Sequence, residues 1–421
     1  MPAKDLREKG TSLGVAETEI EGMPAWAEVS LEAISANVAT IRGLLAPGTR
    51  LMAVVKDDGY GCGAVEVARA ALEAGADMLG VTHLEEGLEL RRAGIAAPIL
   101  LFRPLLAPEV KTAVDHGLTV TVASLHDLEV LGAALCGGAG APKVHLKIET
   151  GLGRLGLRPG PELAAAATWL REHPEVEVEG VYSHLATAAW GAKGFARRQF
   201  ARFVGALEQL QVAGFTGLVR HLCNSAATVR FPEMHLDMVR VGSALYGPLA
   251  GLSRTREGEP LGLQPAWQAR CRVLEVSDVP AGTTVGYGRD YRVRRPTRLA
   301  VLPVGYAEGF GVGPDLRPRG WFDFLLVVAK LFLIALGRPV GPAKVWAGGR
   351  PVRIAGRVGM QLTVVDVGPD AAVRPGTVVS LGMRHTIAGP RLARVYVSRG
   401  AVVGVPAAGG ENLPGAGPEV R

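Results

Sequence analysis

Cysteine is scarce in this chain, and its spacing favours neither a metal site nor a disulfide framework. Four cysteines occur in 421 residues, at positions 62, 136, 223 and 271, and no Cys-x-x-Cys pair is present. Zinc sites and small disulfide-rich domains rely on closely spaced cysteines. We therefore predict reduced thiols, no metal site and a cytoplasmic location.

The chain also lacks a concentration of charge of one sign. Its formal net charge of +6 is spread along the sequence without a block of basic residues. Nucleic-acid binding usually requires such a block, so we expect a small-molecule substrate and no nucleic-acid partner. The N-terminus is polar and mixed in charge, and it has no apolar core of the kind found in signal peptides.

Long apolar runs are few, and the strongest is short for a membrane span. Residues 321–337 (WFDFLLVVAKLFLIALG) contain Asp323 and Lys330, which are seven positions apart and share one face of a helix. A membrane span needs about 20 apolar residues. We predict a helix packed on the protein body or at a subunit interface. An exposed apolar flap and a membrane-surface helix are the alternatives.

The N-terminal part of the chain alternates between β-like and helical patterns. Such alternation indicates a parallel sheet, and eight repeats in about 200 residues fit a closed (β/α)8 barrel of the TIM type. A doubly wound sheet is the alternative, but no Gly-x-Gly-x-x-Gly follows the first strand. The predicted strands are 51–55, 78–82, 98–102, 118–122, 143–149, 178–184, 218–223 and 237–241. Helical periodicity separates them, as in 63–74, 84–93, 124–135, 161–173 and 195–213.

After about residue 262 the pattern changes to short β-rich segments separated by proline or glycine turns. This indicates a second, mostly-β domain. We predict an N-terminal extension at 1–23, the barrel at 24–262, the β domain at 263–405 with an apolar insertion at about 313–343, and a disordered tail at 406–421. The early run 26–31 is also able to pair with the β domain.

Polar residues occur where several predicted strands end. In a barrel the carboxyl ends of all strands meet at one mouth, where such enzymes keep their active sites. Each residue alone has an ordinary structural explanation, but five strand ends with polar residues favour a functional site. These residues are Lys56, Arg154, His184, Asn224, Ser225 and Arg240.

The segment 53–63 (AVVKDDGYGCG) resembles the motif that carries the pyridoxal-phosphate (PLP) lysine in alanine racemases. Further segments resemble motifs of the same family and occur in the family's order. They are KIETGLGRLG at 147–156, SHLATA at 183–188, CNSAA at 223–227, VRVGSALYG at 239–247, VGYGR at 285–289, PVGYAEG at 303–309 and GRVGM at 356–360. The resemblance implies a PLP-dependent racemase built from a (β/α)8 barrel and a C-terminal β domain.

The resemblance also implies catalytic roles. Lys56 would carry PLP as a Schiff base and act as one catalytic base, and Tyr287 would be the base on the opposite face. A tyrosine is a poor base at neutral pH, so His184, which would also pack beside the cofactor ring, is its expected partner. Arg240 would face the pyridine nitrogen. Because arginine only donates hydrogen bonds, it disfavours protonation of that nitrogen and so favours racemisation over transamination.

Other residues would bind the cofactor and the substrate. The phosphate would be bound by Tyr60, Ser225, Gly242 and Ser243, and Asn224 belongs to the same cofactor site. Arg154 would contact the cofactor and the substrate carboxylate, which also meets the backbone of Met360.

Three further family roles concern positioning and assembly. Lys147 matches a lysine that is often carbamylated and orients Arg154. Tyr306 would narrow the entrance to the active site. In the family, Tyr287 and Tyr306 reach the barrel of the other subunit, which implies a homodimer.

The sequence departs from the family pattern at four positions. Cys62 stands where histidine is usual, Gly59 where alanine is usual, and Gln361 where the family has Asp or Asn. Pro390 occupies a position at which some members have a phosphate-binding tyrosine. None of these changes removes a catalytic base, but they leave the substrate range open.

The leading hypothesis is interconversion of L- and D-alanine, which supplies D-alanine for peptidoglycan. A broad-specificity or serine racemase on the same scaffold is an alternative. A PLP-binding protein without turnover is another, although such proteins resemble the barrel alone. A decarboxylase of the same fold would require a cysteine and other acid-binding residues in the second domain, and we do not find them.

Overall fold

A computed structural model describes residues 20, 22–138, 140–189, 193–249, 254, 258–313, 318, 320–335, 343–369, 372–398 and 401–405. Residues 1–19 of the predicted extension and the predicted tail 406–421 lie outside the described residues. The chain divides into two compact units, Leu31–Ala266 and Met1–Ser30 with Trp267–Arg421.

The first unit contains a parallel eight-stranded barrel. Its strands are β2 (Arg50–Val54), β3 (Met78–Val81), β4 (Ile99–Leu101), β5 (Val120–Val122), β6 (Lys143–Lys147), β7 (Glu177–Tyr182), β8 (Val219–His221) and β9 (Met238–Val241). They follow the order β4-β3-β2-β9-β8-β7-β6-β5, and a parallel bridge between Leu100 and Thr119 joins the two outer strands. The predicted (β/α)8 barrel is therefore confirmed.

Helical segments accompany the strands of this unit, and the one that begins at Lys56 contains four residues, 57–60, with left-handed φ and ψ values. The segments are α1 (Leu31–Arg42), α2 (Lys56–Gly61), α3 (Ala64–Glu73), α4 (Leu84–Arg92), α5 (Ala107–Asp115), α6 (Leu125–Cys136), α7 (Pro161–Glu172), α8 (Lys193–Val212) and α9 (Ser225–Arg230). Strands β3 and β4 are buried along their whole length. Parallel strands between a packed interior and a helical layer need apolar residues on both faces.

The second unit is built from antiparallel strands and one long apolar helix. Its elements are β1 (Ala25–Ser30), β10 (Trp267–Arg272), β11 (Glu275–Val279), β12 (Thr284–Val285), β13 (Tyr291–Arg292), β14 (Thr297–Leu302), α10 (Trp321–Ala335), β15 (Lys344–Ala347), β16 (Arg350–Ile354), β17 (Thr363–Asp366), β18 (Val378–Gly382), β19 (Ala393–Ser398) and β20 (Ala401–Gly404). Ten strands form one sheet in the order β11-β14-β17-β16-β15-β18-β10-β1-β19-β20, which confirms the mostly-β character of this unit.

Strand β1 belongs to this second unit. It pairs antiparallel with β10 and parallel with β19, and its buried Trp26 packs against Val395 and Val397. Our boundary at residue 24 assigned β1 to the barrel, and the strand pairing corrects that assignment. The other predicted domain boundaries stay predictions.

Within the predicted apolar insertion, Trp321–Ala335 form a helix, and most of its described side chains are exposed. Trp321 is 75% exposed and Phe322 is 72% exposed. The predicted helix is confirmed over Trp321–Ala335. Its exposure in a single chain leaves the subunit interface as the form of the prediction that still stands, and this stays a prediction. Among the residues that the structure describes, no helix is both long and apolar enough to cross a bilayer.

Candidate active site

The carboxyl ends of the barrel strands bring the polar residues identified from the sequence to one mouth. Lys56 follows β2, Arg154 lies in the loop after β6, His184 follows β7, and Arg240 lies in β9. The pKa of His184 is lowered to about 3, first by burial and then by the positive charges of Arg240 and Arg154, with smaller effects from the two lysines, 147 and 56. The electrostatic coupling of these groups makes the mouth a cationic site for an anionic ligand.

Lys56 begins a turn with an unusual backbone conformation. The four residues after it, 57–60, have φ between 50° and 61°, which is the left-handed helical region. Only Gly59 adopts that region without a steric cost. The turn is fixed by two carboxylates. Glu86 accepts the Asp57 N–H at 2.5 Å, and Asp58 accepts the Ala64 N–H at 2.9 Å.

Arg240 is buried, and both of its terminal nitrogens are hydrogen-bonded to groups at the ends of neighbouring strands. Its Nη1 donates to His221 Nδ1 at 3.0 Å, and its Nη2 donates to the Ser183 carbonyl at 2.6 Å. His184 Nδ1 lies 3.4 Å from the same Nη2. Burial lowers the pKa of Arg240 to about 10, so the guanidinium stays charged at neutral pH. The side chain is therefore a fixed cation that only donates hydrogen bonds.

A compact backbone cradle lies beside these residues. Ser225 Oγ accepts the Gly242 N–H at 3.1 Å, and a side chain at Gly242 would collide with the Tyr60 hydroxyl. Asn224 caps α9 by accepting the Ala227 N–H at 3.1 Å. Ser243 is exposed and begins a 3-10 turn. Glycine at 242 lets a hydroxyl and backbone groups approach closely, which suits recognition of a phosphate.

Lys147 and Arg154 are two further cationic residues of the mouth. Lys147 is buried, and its pKa is lowered to about 8 by burial and by the positive charges of Arg154 and Arg240. Glu149 fixes the loop that carries Arg154 by accepting the N–H groups of Gly151 and Gly153. A buried lysine with a lowered pKa is partly uncharged near pH 8 and is then a nucleophile.

The three remaining predicted residues lie together in the β unit. Tyr287 is 86% exposed, Tyr306 is 52% exposed and Met360 is 59% exposed. The Tyr306 N–H bonds to the Gly359 carbonyl at 3.0 Å, which brings the loops of Tyr306 and Met360 together. Exposed aromatic and apolar side chains on neighbouring loops are typical of a surface that meets another protein.

Several residues that fix the site were not found from the sequence. Glu86 and Glu149 hold the loops of Lys56 and Arg154. His145 and His221 lie inside the barrel behind Arg240. The sequence did contain a signal for His145. Residues two apart in a strand lie on the same face, so His145 lies on the face of β6 that carries Lys147.

Comparisons with known proteins agree with this arrangement. Residues 29–250 match the model of the alanine racemase N-terminal domain, and residues 266–319 match that of the C-terminal domain. The alanine racemase of Desulfosudis oleivorans is 41% identical over 367 residues, covering 84% of this chain and 87% of the relative. The chain belongs to the alanine racemase family. Its activity is therefore the interconversion of L- and D-alanine.

One further sequence relative and two solved structures are also alanine racemases. The alanine racemase of Desulforamulus reducens is 41% identical over 352 residues, covering 83% of this chain and 88% of the relative. The solved alanine racemase of Clostridium difficile 630 superposes with a TM-score of 0.80 at 26% identity and covers 92% of this chain and 99% of its own. That of a D-cycloserine-producing Streptomyces lavendulae gives 0.74 at 34% identity, with coverages of 89% and 97%. The match to both family domains disfavours a carrier protein, which would resemble the barrel alone.

Proposed function

We propose that this alanine racemase uses PLP held by Lys56. The observation that carries the proposal is the strand-end amine of Lys56 beside a cationic mouth and a glycine cradle. An amine, several cations and close backbone N–H groups suit an aldehyde cofactor with a phosphate group. When bound, the cofactor supplies an electron sink that acidifies the α-hydrogen of the amino acid. Tyr60, Asn224, Ser225, Gly242 and Ser243 would hold its phosphate end.

We assign the proton transfers to two bases on opposite faces of the substrate. Lys56 Nζ moves the proton on one face, and Tyr287 Oη moves it on the other. Arg154 binds the substrate carboxylate together with the Met360 backbone, and Tyr306 narrows the entrance. Removing a proton on one face and returning it on the other inverts the configuration, whereas a single base would return it to the same face.

His184 is suited to support the tyrosine base. Its low pKa leaves the imidazole uncharged at neutral pH, and its Nδ1 faces the donor-only Arg240. The ring proton therefore belongs on Nε2, which is then free to donate to Tyr287 Oη. A hydrogen bond to the charged form of a phenol favours that form.

Arg240 controls the outcome of the reaction rather than moving a proton. A carboxylate at this position would favour protonation of the ring nitrogen of a bound cofactor and would strengthen the cofactor as an electron sink, which would favour transamination. Arg240 presents only N–H groups, and its hydrogen bonds to Ser183 and His221 fix it in that orientation. We infer that Arg240 would disfavour protonation of that nitrogen and so favour racemisation over transamination.

Lys147 is proposed to react with carbon dioxide. The neutral amine adds to CO₂ and releases one proton, which gives a carbamate with a single negative charge. Its lowered pKa supplies the neutral amine, and Arg154 and Arg240 supply cations for the product. A ¹³C-bicarbonate NMR experiment tests this step. A carbamate resonance that is absent from Lys147→Met supports it, and identical spectra of the two proteins contradict it.

We propose that each active site is completed by a second copy of the chain. The exposure of Tyr287, Tyr306 and Met360 on the β unit supports this arrangement. Mixing Lys56→Ala with Tyr287→Phe tests it, because only the mixed dimer then contains one intact site. After subunit exchange, activity should recover to about a quarter of wild type. No recovery from exchanged dimers would place both bases in one chain.

The cellular role depends on the substrate preference, and a product assay measures that preference. We propose that D-alanine made in the cytoplasm supplies peptidoglycan synthesis, and four free cysteines fit a reducing compartment. Chiral analysis of L-alanine and L-serine incubated with PLP-loaded protein measures the preference. A near-equal mixture of alanine enantiomers with little D-serine supports the proposal. An excess of D-serine would favour the broad-specificity or serine racemase instead.

A further inference from the structure

A line of polar side chains runs from Arg240 through the interior of the barrel. Arg240 Nη1 lies 3.0 Å from His221 Nδ1, and His221 Nε2 lies 2.8 Å from His145 Nδ1. His145 Nε2 then lies 3.4 Å from Glu179 Oε2, an electrostatic contact whose geometry is not that of a regular hydrogen bond. The first three residues are buried, and Glu179 is partly exposed near the start of β7, away from the mouth.

The two end residues, Arg240 and Glu179, determine which ring nitrogen of each histidine carries the proton. Arginine only donates, so while Arg240 Nη1 stays in this position His221 Nδ1 accepts and the His221 proton lies on Nε2. That proton is donated to His145 Nδ1, which places the His145 proton on Nε2. An ionised carboxylate only accepts, so Glu179 is matched to that last proton. Burial lowers the pKa of both histidines, which keeps each ring neutral with a single proton.

The backbone is shaped to bring Glu179 to this line. Val144 pairs with Val178 and the next residue, His145, pairs with Gly180, so Glu179 is an extra residue in a β-bulge. Bulges turn a side chain away from its regular direction. A Cβ at Gly180 would lie 2.7 Å from the His145 ring, so glycine makes room for that ring. Thr119 Oγ1 donates to Glu179 Oε2 at 3.2 Å and steadies the carboxylate.

We propose that Glu179 is a positioning residue for Arg240. It acts through His145 and His221 by holding both rings in the Nε2–H tautomer, which keeps an acceptor in front of Arg240 Nη1. In the opposite tautomer two N–H groups would face each other and displace the guanidinium. This inference rests on the proposed function, in which Arg240 faces the cofactor ring.

The test compares Glu179→Leu, which removes the acceptor, with Glu179→Gln, which keeps a carbonyl acceptor. Glu177→Leu is the matched control, because this residue lies on the same strand and contacts Lys143 at the surface. Two-bond ¹H–¹⁵N spectra of histidine-labelled holoenzyme report the tautomers. Signals are assigned with His145→Gln and His221→Gln. A second measurement compares pyruvate formed by transamination with D-alanine formed by racemisation.

In wild type, Glu179→Gln and Glu177→Leu, both rings should be in the Nε2–H form. In Glu179→Leu both should show mixed tautomers, and the transamination fraction should rise on the order of fivefold, the scale expected for loss of one net polar contact. The KM for alanine should not change. An Nδ1–H ring in wild type would overturn the proposal, as would a Glu179→Leu protein that matches Glu177→Leu in either measurement. Failure of the proposed function would appear separately, as wild type without racemisation.

Discussion

Replacing Lys147 by methionine tests whether the positive charge of Lys147 destabilises the folded protein. Burial and neighbouring positive charges lower the pKa of Lys147 from 10.5 to about 8. At roughly 1.4 kcal/mol per tenfold change, this difference corresponds to a cost of about 3 kcal/mol when the amine is charged. Methionine has a similar shape without the charge, but it loses the contact of the ammonium with the Tyr182 ring at 5.4 Å. That contact contributes about 1 kcal/mol.

The sign of the pH dependence follows from proton binding. Between about pH 8 and 10.5 the unfolded state binds the Lys147 proton and the folded state does not, so stability rises with pH in this interval. In CO₂-free buffer at pH 7, we therefore expect Lys147→Met to be more stable than wild type by about 2 kcal/mol. The advantage should disappear as the pH approaches 10.5.

Urea denaturation of the cofactor-free protein, followed by circular dichroism, measures the difference at each pH. Lys143→Met is the control, because Lys143 lies on the same strand but is exposed. In bicarbonate buffer a carbamate would pair with Arg154 and Arg240, and the sign should then reverse, with wild type the more stable protein. Equal stability of wild type and Lys147→Met at pH 7 in CO₂-free buffer would refute the lowered pKa.

The remaining predictions concern catalysis and packing. Lys56→Ala should abolish covalent attachment of the cofactor, which the absorption spectrum reports. It should also abolish racemisation in both directions, and residual activity would show that this amine is not a catalytic base. Tyr287→Phe should lower kcat for L-alanine by at least about 100-fold while the cofactor stays bound, and an unchanged kcat would exclude the phenol as a base. Arg240→Glu should increase pyruvate formation relative to racemisation, and a constant ratio would contradict its role in favouring racemisation. Gly180→Ala should cost about 1–3 kcal/mol in thermal unfolding because the added methyl group meets an imidazole ring. Gly205→Ala in α8 is its control, since nothing lies near its added methyl group, and equal stabilities would show that the ring moves freely.

The barrel was predictable because its strands have a strong local pattern. All eight predicted strands occur within a few residues of their expected bounds, since runs buried on both faces must be apolar throughout. Helix α5 was not assigned from the sequence. Its buried residues are Val110 and Ala113, and its periodicity is no weaker than that of helices that were predicted, so we have no physical account of this omission. The early run 26–31 was expected to be able to pair with the β domain, but β19 was not identified as its partner, because that pairing joins residues far apart in the chain.

The candidate site was predictable to the extent that it follows the strand-end rule. Lys56, His184 and Arg240 come directly from that rule and from family motifs. The contact between His145 and Glu179 depends on a bulge in β7. No local sequence pattern predicts that bulge. Tertiary features of this kind join residues 34 positions apart, and they become visible only when the strands are paired.

The left-handed turn after Lys56 has a consequence for the order of folding. A left-handed backbone costs roughly 1–2 kcal/mol for each residue with a side chain, so this turn does not persist in an isolated peptide. Its partner Glu86 comes from α4 and also accepts the N–H groups of Thr82 and His83 after β3. The second β/α unit must therefore dock before the turn closes. The backbone geometry that places the Lys56 amine therefore depends on a carboxylate from the neighbouring β/α unit as well as on the turn itself.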